Sequence, residues 1–149
     1  MDRPYRRPGA EDFAPLRSLL AECGLPNADL TLASLAHFRV ARDGSRLVAV
    51  AGLTRLGQIG LLRSVAVAPA HRGRGLASGL VETLEQEARR LGLTALYLLT
   101  DSAEDFFTRR GYAPLPRDEA PAAVRDNAEF TRLCPASALC MRKALAWSP

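Results

Sequence analysis

Lysine is almost missing from this chain of 149 residues: 19 of its 20 basic residues are arginine. They are scattered from end to end among 16 acids, so the net charge of +4 comes without a basic stripe. A nucleic-acid backbone asks for such a stripe, and aromatics, at 6%, are too few to build a stacking platform for single strands. No nucleic-acid partner is expected. With only His37 and His71 beside Cys23, Cys134 and Cys140, the short ligand spacings of a zinc site are absent, and no metal is expected. Three cysteines make no disulfide framework and fit a reducing compartment. No apolar run approaches the roughly 18 residues of a membrane span, and the N-terminus MDRPYRRPGAED has no apolar signal core. The expectation is a cytoplasmic protein with no membrane partner. Apolar residues at 48% and charged residues at 24% suit a single domain over residues 1–149, with no repeat or low-complexity segment.

What is present centres on residues 60–100. The apolar run Leu61 to Val67 is cut at Pro69, passes through His71-Arg72-Gly73-Arg74-Gly75, and enters a helical pattern. Leu76, Leu80, Leu84, Ala88 and Leu91 share one face; Glu82, Glu85, Gln86, Arg89 and Arg90 fall mostly on the other. Arg89 and Arg90 suit the last turn and Gly92 the cap. The second apolar run then closes a strand, loop, helix, strand unit whose strands can be parallel neighbours.

Before this unit, Gly9 to Cys23 reads as an amphipathic helix carrying Phe13, Leu16, Leu19 and Leu20 on one face, capped by Gly24. Asn27 to Leu35 reads as a short helix with Asn27 as N-cap, and the pair could wall a substrate cleft. Phe38 to Arg42, Asp43-Gly44 and Arg46 to Leu53 read as a hairpin, with Thr54 to Gly57 turning into the next strand. After Thr100, Asp101-Ser102 is the expected N-cap of a short helix that Gly111 stops. Asp118 to Leu133 is a long insertion with Pro121 in a helical first turn, and the last strand follows Cys140.

Gly73 and Gly75 let the backbone take positive φ and bring N–H groups close to an anion, and the start of the helix adds its free N–H groups and dipole. Arg72 and Arg74 supply full charges, so a diphosphate fits; a plain strand-to-helix turn with arginines in solvent remains the alternative. Gly73, Gly75 and Gly79 miss the dinucleotide fingerprint by one residue, and no Gly-Lys-Ser or Gly-Lys-Thr follows, so Rossmann and P-loop nucleotide sites are excluded.

The run Val65-Ala66-Val67-Ala68-Pro69, then Arg72-Gly73-Arg74-Gly75-Leu76-Ala77, resembles the acetyl-CoA signature R/Q-x-x-G-x-G/A of the GCN5-related N-acetyltransferases, with Arg72, Gly75 and Ala77 at its fixed positions. The resemblance covers about residues 2 to 145. It implies an α/β fold (α+β mixed): a mixed, splayed sheet of about seven strands with helices on both faces. Acetyl-CoA would lie in the splay and be held by Val65, Ala66, Val67, Arg72, Gly73, Arg74, Gly75, Leu76, Ala77 and Phe107. Backbone amides near Val65 and Val67 would hold the pantetheine arm and polarise the thioester carbonyl. An amine would attack directly. Ala103, Gly111 and Tyr112 fit a second family stretch, but Phe107 stands where many members carry a tyrosine thought to protonate the leaving thiolate. Phe107 cannot donate a proton, and core packing is its alternative role. A thiolate of pKa about 8.5 leaves reasonably well unaided.

Arg63-Ser64-Val65-Ala66-Val67, taken with Asp118, Glu129-Phe130, Cys134-Pro135 and Ser137-Ala138, resembles a narrower group akin to amino-acid N-acetyltransferases, including those encoded with arsenic-resistance genes. The implied substrate is a small-molecule amine, an amino acid or a related compound. Arg63, two residues before Val65, would share its face and clamp a carboxylate; a salt bridge is the alternative. His37, Glu104 and a water chain are open as the base, and His37 and Cys134 are substrate-side candidates with Arg63. Cys23, Cys134 and Cys140 would have to converge for a metalloid role; packed free thiols are the alternative. A homodimer stays open, as does a non-catalytic module that binds acetyl-CoA or CoA.

Overall fold

The computed structural model describes residues 5–127, 130 and 137–145. Its strands are β1 (Phe38–Asp43), β2 (Arg46–Leu56), β3 (Ile59–Val67), β4 (Ala95–Thr100), β5 (Ala113–Pro114) and β6 (Leu139–Ala144). Its α-helices are α1 (Phe13–Glu22), α2 (Leu76–Arg90), α3 (Glu104–Thr108) and α4 (Ala122–Arg125). The six strands form one mixed sheet in the order β1-β2-β3-β4-β6-β5. The six strands among the described residues agree with the mixed sheet of about seven that the resemblance implies. Among the described residues no helix is long and apolar enough to cross a membrane.

Two compact units share the chain: Met1–Thr54 with Arg63–Glu87, and Arg55–Leu62 with Ala88–Pro149. In the first unit, the i, i+3, i+4 spacing of Leu16, Leu19 and Leu20 buries one face of α1 against Val40, Val48, Val50, Ala66 and Ala68. Gly24, at φ 72°, ends that helix in the left-handed region, as its position after Cys23 predicts. The hairpin β1–β2 pairs Phe38 with Gly52 and Val40 with Val50, and its register shifts between Ala41 and Arg42, close to the turn at Gly44. Glycine at 52 has a packing cause: a Cβ there would come within 2.3 Å of the Phe38 ring. Gly79 on α2 is similar, since a Cβ there would lie 2.0 Å from the Tyr5 hydroxyl.

In the second unit, β3 and β4 pair in parallel at Ile59↔Ala95, Gly60↔Leu96 and Leu61↔Tyr97. Strand β6 runs antiparallel to β4 from Ala95↔Ala144 to Thr100↔Leu139. Its core gathers Leu61, Ala95, Tyr97, Ala120, Val124 and Cys140.

Several local expectations change. No α-helix forms from Asn27. A 3-10 turn covers Leu32–His37, with Thr31 as N-cap accepting from the Ser34 amide, because Thr31 and Ser34 cap one another reciprocally. Strand β2 continues through Thr54 and Arg55, and the chain turns at Gly57 instead. Asp101-Ser102 does not cap α3; the Thr100 hydroxyl accepts from the Ala103 amide at 3.0 Å. Among the described residues, the insertion after Asp118 includes a 3-10 turn, Arg117–Glu119, and the short α4. Glu85, expected on the polar face of α2, is buried, and so is Glu87.

Candidate active site

The candidate site lies within the first unit and begins at an irregularity. Ser64, in the middle of β3, has φ 58°, the only left-handed non-glycine residue among those described. For a residue with a Cβ that conformation costs about 1 kcal/mol or more, and such residues collect at functional sites. It breaks the two-residue alternation of the strand. Arg63 and Ser64 are both buried, and Arg63 Nε donates to the Ser64 hydroxyl at 3.2 Å, a contact that neighbours on opposite faces of a regular strand do not make. Beyond the break alternation resumes: Val65 and Val67 are half-buried, while Ala66 and Ala68 enter the core. The expectation that Arg63 shares the face of Val65 assumed a regular strand and does not hold across Ser64.

Arg63 is committed within the protein. Nη1 donates to Asp29 Oδ2 at 2.5 Å and Nη2 to Asp29 Oδ1 at 2.8 Å, a two-pronged pair. Its fork meets a carboxylate, as the anion-clamp reading requires, but the carboxylate is the protein's own. Asp29 is a residue that sequence reasoning missed, because a loop aspartate 34 residues from its arginine leaves no periodic signal.

The loop after β3 has the conformation that its glycines imply. Gly73 and Gly75 sit at φ 80° and 79°, and a Cβ at either would meet nothing within 4 Å, so the space above the backbone is open. α2 starts directly after them, with the Gly79 amide donating to the Gly75 carbonyl at 3.0 Å, which leaves the preceding amides of the first turn without helical acceptors. Open room, left-handed glycines and a helix start fit a diphosphate. Arg74 is exposed. Arg72 folds back: Nε donates to the Val67 carbonyl at 3.0 Å and Nη2 to the Cys23 sulfur at 3.7 Å. Leu76 and Ala77, half-buried, open the helix.

His71 joins this loop to the hairpin turn. Its Nε2 lies 3.0 Å from Asp43 Oδ2, and its buried Nδ1 has no hydrogen-bond partner. The His71 ring, with Arg74 and Arg46, holds the Asp43 carboxyl below its ordinary pKa. A histidine in the loop carried no sign of this contact in the sequence.

His37 Nδ1 lies 4.0 Å from Glu87 in the C-terminal half of α2, where Arg39 at 3.0 Å and Arg7 at 3.3 Å also reach that carboxylate. Glu87 is eleven residues beyond Leu76, about 16 Å along the helix at 1.5 Å per residue. In the second unit, Phe107 is buried, with its ring edge-on to Phe106 at 5.0 Å and to Tyr112 at 5.5 Å. Glu104 opens α3 and is exposed. Cys23 packs with the core of the first unit and Cys140 with that of the second. Burial pushes the Cys140 thiol up to about 11, which keeps it protonated. Cys134 lies outside the described residues, and among the described residues no cluster of three metal-ligating side chains occurs.

Residues 5–112 match the model of the acetyltransferase (GNAT) family. The chain is 34% identical over 89 residues to an amino-acid acetyltransferase of Pseudomonas putida, which covers 58% of the chain and 21% of that protein. It is 30% identical over 135 residues to an amino-acid acetyltransferase of Pseudomonas aeruginosa, 85% of the chain and 31% of that protein. The chain thus spans about a fifth to a third of the length of these relatives. Among solved structures, Rv2747 from Mycobacterium tuberculosis in complex with CoA and NLQ superposes with TM-score 0.80 at 25% identity, covering 95% of this chain and 99% of that one. N-acetylglutamate synthase from Neisseria gonorrhoeae, complexed with coenzyme A and N-acetyl-glutamate, gives TM-score 0.82 at 20% identity, over 95% of this chain and 35% of that one, a likeness of fold.

Proposed function

Because the chain belongs to the acetyltransferase (GNAT) family of acetyl-CoA-dependent N-acetyltransferases, we propose that it carries the acetyl group of acetyl-CoA directly to the amine of a small molecule, an amino acid or a close analogue. The observation that carries this reading is the left-handed break at Ser64, nine residues before Gly73, the first of the two left-handed glycines that precede α2. It puts an interrupted strand and an anion-binding loop in immediate succession. The 30% identity over 135 residues to amino-acid acetyltransferases supports the choice of amine.

In this reading Gly73, Gly75, Leu76 and Ala77 present backbone N–H groups to the diphosphate, and Arg72 and Arg74 add charge. Acetyl-CoA supplies an acyl group already activated as a thioester. Backbone amides at Val65 and Val67 would hold the pantetheine arm and polarise the carbonyl, a contribution that needs no side chain. Arg63, bonded to the Ser64 hydroxyl directly before Val65, would serve the acceptor. Phe107 offers no proton, so the CoA thiolate, whose thiol has a pKa of about 8.5, would leave unaided and take its proton from solvent.

The test is release of free CoA thiol from acetyl-CoA in the presence of the common amino acids and a set of simple amines. Acetylation of at least one amino acid is expected. Tight acetyl-CoA binding with no transfer to any amine would favour a CoA-binding module instead.

A further inference from the structure

We propose that the Arg63–Asp29 ion pair is the acceptor-recognition device, and that a zwitterionic amino acid replaces it, carboxylate on Arg63 and ammonium on Asp29. The inference rests on the reading of the chain as an amino-acid acetyltransferase.

Arg63 is 3% exposed at its side chain. A guanidinium so buried needs an anion at all times, because leaving it bare is strongly unfavourable. Asp29 provides that anion through a planar, two-pronged contact, the geometry with which arginine also binds a free carboxylate. The two partners are unequally sealed: the Asp29 side chain keeps 24% of its exposure. It sits between the end of α1 and the 3-10 turn at Leu32–His37, in a stretch with no regular structure. Leu30 is buried beside it and its amide bonds the Asn27 carbonyl, so the segment is pinned at a neighbour while Asp29 faces water at one edge. The carboxylate can therefore move off the fork without unfolding an element. Arg63 also bonds Ser64, the left-handed residue directly before Val65, which ties the pair to the stretch assigned to the acyl group.

Charge balance then selects the ligand. A zwitterion turns one internal ion pair into two ion pairs with the ligand and leaves no charge unmatched. An amine without a carboxylate leaves Arg63 on Asp29 and gains little. A carboxylate without an amine must evict Asp29 and offers it nothing.

The experiment compares the parent with Asp29→Asn and Asp29→Glu. Probes are the common amino acids as acceptors, the amide of the best of them, and propionate as an inhibitor. For the parent, KM for the free amino acid is expected at least tenfold below that for its amide. Asp29→Asn should raise the amino-acid KM at least tenfold with a smaller change in kcat and an unchanged Kd for acetyl-CoA. It should also make propionate a tighter inhibitor, because Arg63 has lost its competitor. Asp29→Glu should restore much of the amino-acid KM and return propionate to parent strength. A purely structural tie would lower Tm, weaken amino acid and amide alike and leave propionate unchanged; that result overturns the proposal. Should Asp29→Asn not fold, Asp29→Glu alone decides, since an equal shift for amino acid and amide also overturns it. Absence of acetylation of every amino acid by the parent defeats the amino-acid reading itself. Normal amino-acid activity that Asp29→Asn alters no more than amide activity defeats only the exchange.

Discussion

Two arginines of the first unit, Arg39 on β1 and Arg63 on β3, each meet a carboxylate from a distant part of the chain, and the two pairs differ in their seal. Arg39 and Glu87 are 10% and 3% exposed at their side chains; Arg63 and Asp29 are 3% and 24% exposed. Glu87 sits on a 15-residue helix and is reached by Arg7 as well. Asp29 sits on an irregular loop. A pair closed at both ends can only hold elements together, whereas a pair open at one end can exchange a partner with solvent. The same chemistry thus serves architecture in one place and recognition in the other.

The sharpest break of that contrast is Glu87→Ala. It leaves Arg39 buried without its anion, and a loss of about 3–5 kcal/mol is expected, measured by urea denaturation. The double variant Arg39→Met, Glu87→Leu should recover most of it, because two apolar side chains of similar bulk carry no desolvation cost. Asp29→Ala also bares a guanidinium, one only 3% exposed, and should destabilise the fold, but by less than Glu87→Ala, since the Asp29 side chain keeps 24% of its exposure and its removal opens that edge to water. Equal losses would erase the distinction between the pairs.

Next in size is the loop. Gly75→Asp places a Cβ at φ 79° and a negative charge beside the start of α2, so acetyl-CoA affinity should fall by about tenfold or more in calorimetry. Arg72→Ala should weaken it less, because the Arg72 guanidinium also serves the Val67 carbonyl and is not devoted to a ligand. If both variants bind acetyl-CoA as the parent does, the diphosphate does not lie on this loop.

How far these regions could be foreseen follows from the kind of signal each leaves. Gly73 and Gly75 stand at their left-handed positions because only glycine takes them freely, so the residue type announces the conformation. The apolar spacing of α1 and α2 announced their buried faces in the same way. Ser64 announces nothing: a serine in an apolar run looks like any half-buried strand residue, and its residue type gives no sign of a φ of 58°. The error about the face of Arg63 follows from that one residue. Glu87 gives no sign of its role in the sequence, because its arginines, Arg7 and Arg39, are far away along the chain. Asp29 and Asp43 escaped for the same reason: loop carboxylates acquire meaning only when the fold brings a cation to them.

The smallest effect belongs to Asp43, exposed at the hairpin turn and bound to His71 at 3.0 Å. His71, then Arg74 and Arg46, favour its ionised form, so its pKa in the folded protein is lowered from the ordinary 3.8. The sign follows from linkage: a depressed carboxyl stabilises the fold at pH values above its unfolded pKa, and that contribution disappears as pH falls through the folded one. Asp43→Asn should therefore lower Tm slightly at pH 7, and the gap from the parent should close only below 3.8. Because Asp43 is exposed, salt should shrink the gap at pH 7 as well. The contact also braces the residue just before Arg72, so acetyl-CoA binding by Asp43→Asn should weaken by less than in Arg72→Ala. A gap that persists undiminished below pH 3.8 would mean that the aspartate acts through turn geometry and not through its charge on His71.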